Sequence, residues 1–185
     1  LSAGPSLVRP SRLGLPDLRP RARPLPLDLD ACRALLAARP LARLGCYHPA
    51  RARTYCLPLW FAVENNDLWF YHPGDGQMLA AALRAHPEGI CAQVDDLDCS
   101  PDADPGQPWR SVLAEGAARV FTLGPEATLP PARQRAILRA IRERLAAFAI
   151  DSVFVPPDPD LLPPTGVLLR LRVRIMSGQA TGTPL

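Results

Sequence analysis

The sequence predicts a mainly β (α+β) fold: an antiparallel β-barrel of about six strands with two or three helices packed outside it. Three observations predict it. In residues 167–175, Val167, Leu169, Leu171, Val173 and Ile175 alternate with Arg170, Arg172 and Arg174, the period of a half-buried strand. Hairpin-type turns such as Asn65-Asn66-Asp67 join successive apolar runs. The element order β-β-β-α-β-β-α-β lacks the strict strand–helix alternation of a doubly wound sheet. A chain of 185 residues, 48% hydrophobic, suits one domain of ordinary size. No stretch supplies the roughly 20 consecutive apolar residues of a membrane-spanning helix.

Each element has a local reason. Residues 1–27 hold six of the 23 prolines and show no hydrophobic periodicity, so they read as an extended Pro/Arg-rich arm preceding a domain at 28–185. Asp28 and Asp30 offer N-caps for a helix over 31–39, which Pro40 ends. Residues 41–47 and 53–63 read as strands around a turn at 48–51, and 68–72 as a third strand. Gly74-Asp75-Gly76 then leads into a helix over 77–86 with Leu79 and Leu83 on one face. Residues 90–97 form the fourth strand, 98–108 an acidic, proline-rich loop, and 109–121 a fifth strand with a bulge expected at Gly116. After Pro130-Pro131, the residues Ile137, Ile141, Leu145 and Phe148 mark the apolar stripe of an amphipathic helix. A second proline-rich loop, 156–164, precedes the last strand.

Charge and composition exclude several function classes. The net charge is +3, but residues 1–27 contribute five arginines against one acid, leaving 16 arginines against 17 acids in the body. A nucleic-acid-binding domain would carry its excess on a folded face, so that class is set aside. All 21 basic residues are arginine, which rules out a Schiff-base or P-loop lysine. The five cysteines show no CxxC spacing, and no secretory apolar core precedes them, so reduced thiols in a cytoplasmic protein are the expectation. His48, His72 and His86 have neither HExxH nor cysteine spacing, so no metal site is expected. No serine lies in a GxSxG elbow. The arginines of the last strand are expected to face water or pair with Asp95 or Asp96.

Two segments can carry chemistry. The stretch 54–61, TYCLPLWF, is apolar on both faces, and Pro58 cannot donate to a sheet ladder. It reads either as an edge strand buried in a dimer or as the wall of a site for a flat apolar ligand, and the two are compatible. Tyr71-His72 followed by Gly74-Asp75-Gly76 and a helix reads either as a capped turn or as an anion-competent turn with His72 at its mouth.

Read together, the opening helix with RPLARLGCY, TYCLPLWFAVENNDLWFYHPGDGQMLAAL, GICAQVDDLD and WRSVLAEGAARVF resemble, over residues 28–122, the pyridoxamine-phosphate-oxidase-like FMN-binding split barrels. The branch they look most like is that of nitroimidazole-resistance-type proteins, and the closing RLRVRIMSGQATG fits the same family. The resemblance implies a split barrel, a homodimer with FMN at the subunit interface, and flavin-dependent oxidoreductase activity. It implies that the strand Tyr55, Cys56, Leu57, Pro58 and Leu59 meets the isoalloxazine with backbone groups, and that Tyr71 and His72 lie beside the ribityl–phosphate arm. Gly76 and Gln77 would adjoin the phosphate, with Gln77 standing where the family commonly has a lysine. Arg110 and Ser111 would contact the flavin from a facing strand, and His72 is the residue implied in activity. Pyridoxamine-phosphate oxidation itself is not implied, because the tail reads Ser177-Gly178-Gln179 rather than an arginine–histidine signature. The different-class alternative is a non-catalytic split barrel holding haem or a deazaflavin.

Overall fold

The computed structural model describes residues 24–48, 51–74, 76–96, 109–124, 127–148, 156, 158–159 and 166–181. Its elements are β1 (Leu25–Pro26), α1 (Leu29–Ala38), β2 (Leu41–His48), β3 (Arg53–Glu64), β4 (Asp67–His72), α2 (Gln77–Ala85), β5 (Ile90–Asp96), β6 (Arg110–Thr122), α3 (Pro131–Ala147) and β7 (Val167–Ala180). The strands run in the order β1-β7-β4-β3-β2-β5-β6, and β6 pairs back onto β7. Six antiparallel strands thus close a barrel, as expected, and β1 is a short extra strand beside β7. Leu25 and Pro26, the end of the expected arm, therefore already pair with Ala180 and Gln179, and residues 1–23 lie outside the described residues.

Two apolar cores follow from the alternation of side chains. Leu44, Phe61, Phe70, Ala92, Val112 and Leu169 point into the barrel. On the opposite face of β4 and β7, Trp69, Tyr71 and Leu168 pack beneath α3 through Ile137, Leu138, Ile141 and Leu145. All of these side chains are buried. Phe148, expected on the α3 stripe, lies at the C-cap and is 37% exposed, because the helix ends one residue before it. Gln134 is wholly buried in α3, yet its amide is satisfied: it accepts from Gly124 N at 3.1 Å and donates to the carbonyls of Gly124 and Leu129. Arg144 binds α3 to α1, donating to the carbonyls of Leu36 and Arg39 at the end of that helix while its guanidinium stands 4.6 Å over Phe61.

Gly116 is required where β6 and β7 lose register. Glu115 pairs with Ile175 and Gly116 with Val173, so Arg174 is an extra residue in β7. A Cβ on Gly116 would lie 1.9 Å from the Arg172 carbonyl oxygen. This bulge corrects one expectation. The alternation places Ile175 inward with Val173, but the extra residue reverses the parity and leaves Ile175 60% exposed. The partners of the arginine stripe also differ: Arg170 pairs with Asp67 and Arg174 with Glu88. Asp95 instead pairs with Arg43, and Asp96 with Arg39 and Arg110. No helix among the described residues is long and apolar enough to cross a membrane.

Candidate functional site

The pairing of β3 changes halfway along the strand. Residues 61–64 pair with β4, whereas residues 53–60 pair with β2 alone. β4 meanwhile continues through Tyr71 and His72 on β7. The sheet splits between them. The Phe61 amide donates to the Pro40 carbonyl at 3.2 Å, so odd-numbered residues of this half direct their backbone groups toward β2. The even-numbered ones face the gap. Pro58 therefore sits opposite Arg43 at a position without ladder bonds, where its missing N–H costs nothing. The Cys56 N–H and carbonyl and the Pro58 carbonyl are turned into the split.

The gap holds two adjoining lobes. One, of about 260 Å³, is lined by Tyr55, Leu57, Gly74, Gly76, Met78 and Leu79. The other, of about 330 Å³, is lined by Leu41, Leu57, Pro58, Leu59, Trp60 and Tyr71. His72 and Pro73 line both. Gly76 begins α2 in the left-handed region at φ +53°, and a Cβ there would lie 2.7 Å from Val167 Cγ2. It occupies the N-cap position of α2. Asp75 and the Gln77 side chain lie outside the described residues.

The cleft's electrostatics are simple. Burial pushes the Tyr71 phenol up, so it remains a neutral donor. Burial, followed by their neighbours' charge, likewise raises the Cys46 and Cys91 thiols, which makes neither an activated nucleophile. The His72 Nδ1 is buried without a hydrogen-bond partner. Among the described residues, no group of three or more His, Cys, Asp or Glu is placed to hold a metal ion.

Of the expected site residues, Tyr55, Leu57, Pro58, Leu59, Tyr71, His72 and Gly76 line the two lobes. Cys56 is exposed on the outer face between Tyr55 and Leu57, with only its backbone facing the split. Arg110 and Ser111 do not line the cleft. They stand at the start of β6, where Arg110 pairs with Asp96, and Ser111 accepts from Gln93 at 3.4 Å. Leu41, Trp60 and Met78 line the cleft and were not among the expected residues. Met78, 48% exposed on the first turn of α2, carried a signal, being an apolar residue off the buried Leu79 and Leu83 stripe. Leu41 and Trp60 carried none, since only the register Leu41↔Trp60 brings them together.

Comparison with known proteins agrees with this architecture. The model of the pyridoxamine 5'-phosphate oxidase family matches residues 28–180. Among solved structures, an FAD-binding protein from Mesorhizobium loti superposes with a TM-score of 0.58 at 18% identity, over 86% of this chain and 99% of that one. A 5-nitroimidazole antibiotic resistance protein from Bacteroides thetaiotaomicron gives 0.58 at 14% identity, over 85% and 87%. The flavocytochrome Anf3 of Azotobacter vinelandii gives 0.60 at 22%, over 86% and 71%. Among curated proteins none matches the chain.

Proposed function

The chain belongs to the pyridoxamine 5'-phosphate oxidase family, and from that premise we propose that it is a flavoprotein that binds FMN in the split between β3 and β4 and uses it in electron or hydride transfer. The observation that carries this reading is the two-lobed cleft, whose edge strand offers the Cys56 amide and the Cys56 and Pro58 carbonyls to a flat ligand. An apolar wall with a few placed polar groups is what a ring system of mixed character needs. A bound flavin supplies reversible two-electron chemistry at its ring. The residues of this chain bind and orient it. Leu57, Pro58 and Trp60 wall the apolar lobe, and Tyr71 presents a phenol that stays protonated. His72 borders both lobes and is the residue we assign to activity.

Arg110 and Ser111 lie outside the cleft of their own chain, so their contribution would be to a partner's cleft in a homodimer with the cofactor at the interface. The exposure of Cys56 and Pro58 on β3 and of Ile175 on β7 supports that reading. The setting we assign to this protein is the cytoplasm. Gel filtration with light scattering tests the dimer, and mixing inactive Arg110→Ala and His72→Gln chains tests the shared site by complementation.

A second reading has a specific observation behind it. Gln77 replaces the usual lysine, and no arginine lines the cleft among the described residues, which suits haem or a deazaflavin held without turnover. The absorbance spectrum of the purified protein separates the two: a two-banded flavin spectrum with FMN released on denaturation supports the first, and a Soret band the second.

A further inference from the structure

We propose that the positive charge this family commonly takes from a lysine is supplied here by imidazole: His72, with His48 beside Tyr55 on the lobe's other wall, holds the phosphoryl end of the cleft's ligand, and its retention is proton-linked. The inference rests on the reading of the cleft as a flavin site and concerns only its smaller lobe.

Four observations carry it. The chain has no lysine, and His72 is the one residue that can become cationic among the described residues lining that lobe. The His72 Nδ1 is buried without a partner, 3.5 Å from where a Gly76 Cβ would stand, so it faces the turn that opens α2. A buried polar atom left unpaired in a native protein calls for a missing partner. The His48 Nδ1 is also buried and unpartnered, and its ring centroid lies 6.1 Å from that of Tyr55, the opposite wall of the lobe. Both imidazoles lack partners, and Tyr55, beside which His48 stands, lines the same lobe as His72.

The surroundings favour an anion. No acidic residue occupies the first turn of α2, and Val167, the β7 neighbour of His72, is apolar. From β2 come His48 and the Cys46 thiol. From β3, Arg53 stands opposite His48 in the register and shares the strand face of Tyr55, adding a charge that does not titrate near neutrality. Asp75 lies outside the described residues.

The consequence is specific to phosphate. A phosphate monoester loses its second proton with a pKa near 6, and a cationic imidazole held against the resulting dianion gives up its own proton at higher pH. Between pH 6.5 and 8.5 the ligand gains only about a quarter of a negative charge, so a fall in its affinity over that range reports a loss of positive charge from the protein. Riboflavin has the ring of FMN without the phosphate, so the ratio of the two affinities isolates the phosphoryl contact.

The test is a flavin fluorescence titration of the full chain with FMN and with riboflavin at pH 6.5, 7.5 and 8.5. The expected result is a preference for FMN that falls by about tenfold over that range, up to tenfold per pH unit for each proton taken up. His72→Gln should flatten the dependence and His48→Gln weaken it, with far-UV circular dichroism unchanged. Inorganic phosphate should compete with FMN at pH 6.5 and not at pH 8.5, which separates the phosphoryl contact from ring binding. A preference for FMN that is flat with pH, or a slope that survives in His72→Gln, would overturn the proposal while leaving the flavin site standing. Failure of both flavins to bind at any pH would overturn the site itself.

Discussion

Residues 61–64 and 53–60 belong to one strand and carry the same kind of sequence, apolar on both faces, yet they meet different surroundings. Phe61 and Ala62 pair with β4, with the barrel core beneath Phe61 and α3 over Ala62. Tyr55 and Leu57 pair with β2 instead, and the side that β4 would take is open. They are half-buried, and Cys56 and Pro58 lie open. The difference teaches that an apolar strand is not in itself a core strand. Where β4 follows β3 the strand is structural, and where β4 departs the same pattern becomes the wall of a cleft.

Substitutions on the two halves should separate stability from binding. The largest effect is expected at Phe61, which is fully buried, packs on Phe70 at 5.8 Å between ring centroids, and carries Arg144 over its face. Phe61→Ala should cost about 3–5 kcal/mol in urea unfolding. Gly116→Ala comes next, on the order of 1–3 kcal/mol, because its Cβ would meet a backbone oxygen that cannot swing aside. A midpoint unchanged from wild type would show that the bulge can relax. Pro58→Glu, on the open half, should alter stability by no more than about 0.5 kcal/mol while abolishing flavin retention. Unchanged flavin stoichiometry in that variant would remove the contrast between the halves.

The smallest effect is expected at the end of the half that pairs with β4. A side-chain hydrogen bond from Arg133 holds the Glu64 carboxyl below its ordinary range, and both side chains are more than a third exposed. A lowered carboxyl stabilises the fold above the unfolded-state value and loses that contribution as the pH falls through the folded-state value. Glu64→Gln should therefore cost about 0.2–1 kcal/mol at pH 7 and nothing once the pH has dropped through the carboxylate range. Unfolding curves at pH 7 and pH 3 measure the difference. A larger deficit at pH 3 than at pH 7 would contradict the assignment.

Much of this was legible in the sequence because its causes are local. Asp28 caps α1, its side chain accepting from the Ala31 amide at 2.7 Å, as the residue type implies. Pro58 marks a strand edge because proline lacks the N–H that a ladder needs. Gly116 marks the bulge because no other residue tolerates the approach of Arg172. What was not legible depends on register. The outward turn of Ile175 comes from one extra residue, Arg174, which no alternation of apolar and charged residues reveals. Leu41 and Trp60 reach the cleft through pairing between strands separated by a turn. The ion pairs of the last strand went to Asp67 on β4, which pairs with β7, and to Glu88 in the turn before β5, placements that only the pairing of the strands makes visible.

The central claim is that the half of β3 that β4 leaves free, residues 53–60, is a flavin wall. It is tested most directly by titrating FMN into the wild-type protein and the Pro58→Glu variant, freed of any copurifying chromophore, and following flavin fluorescence. Saturation at one flavin per wild-type chain, with none bound by a variant of unchanged circular dichroism, is the predicted result. Equal binding by both proteins, or none by the wild type, would contradict it.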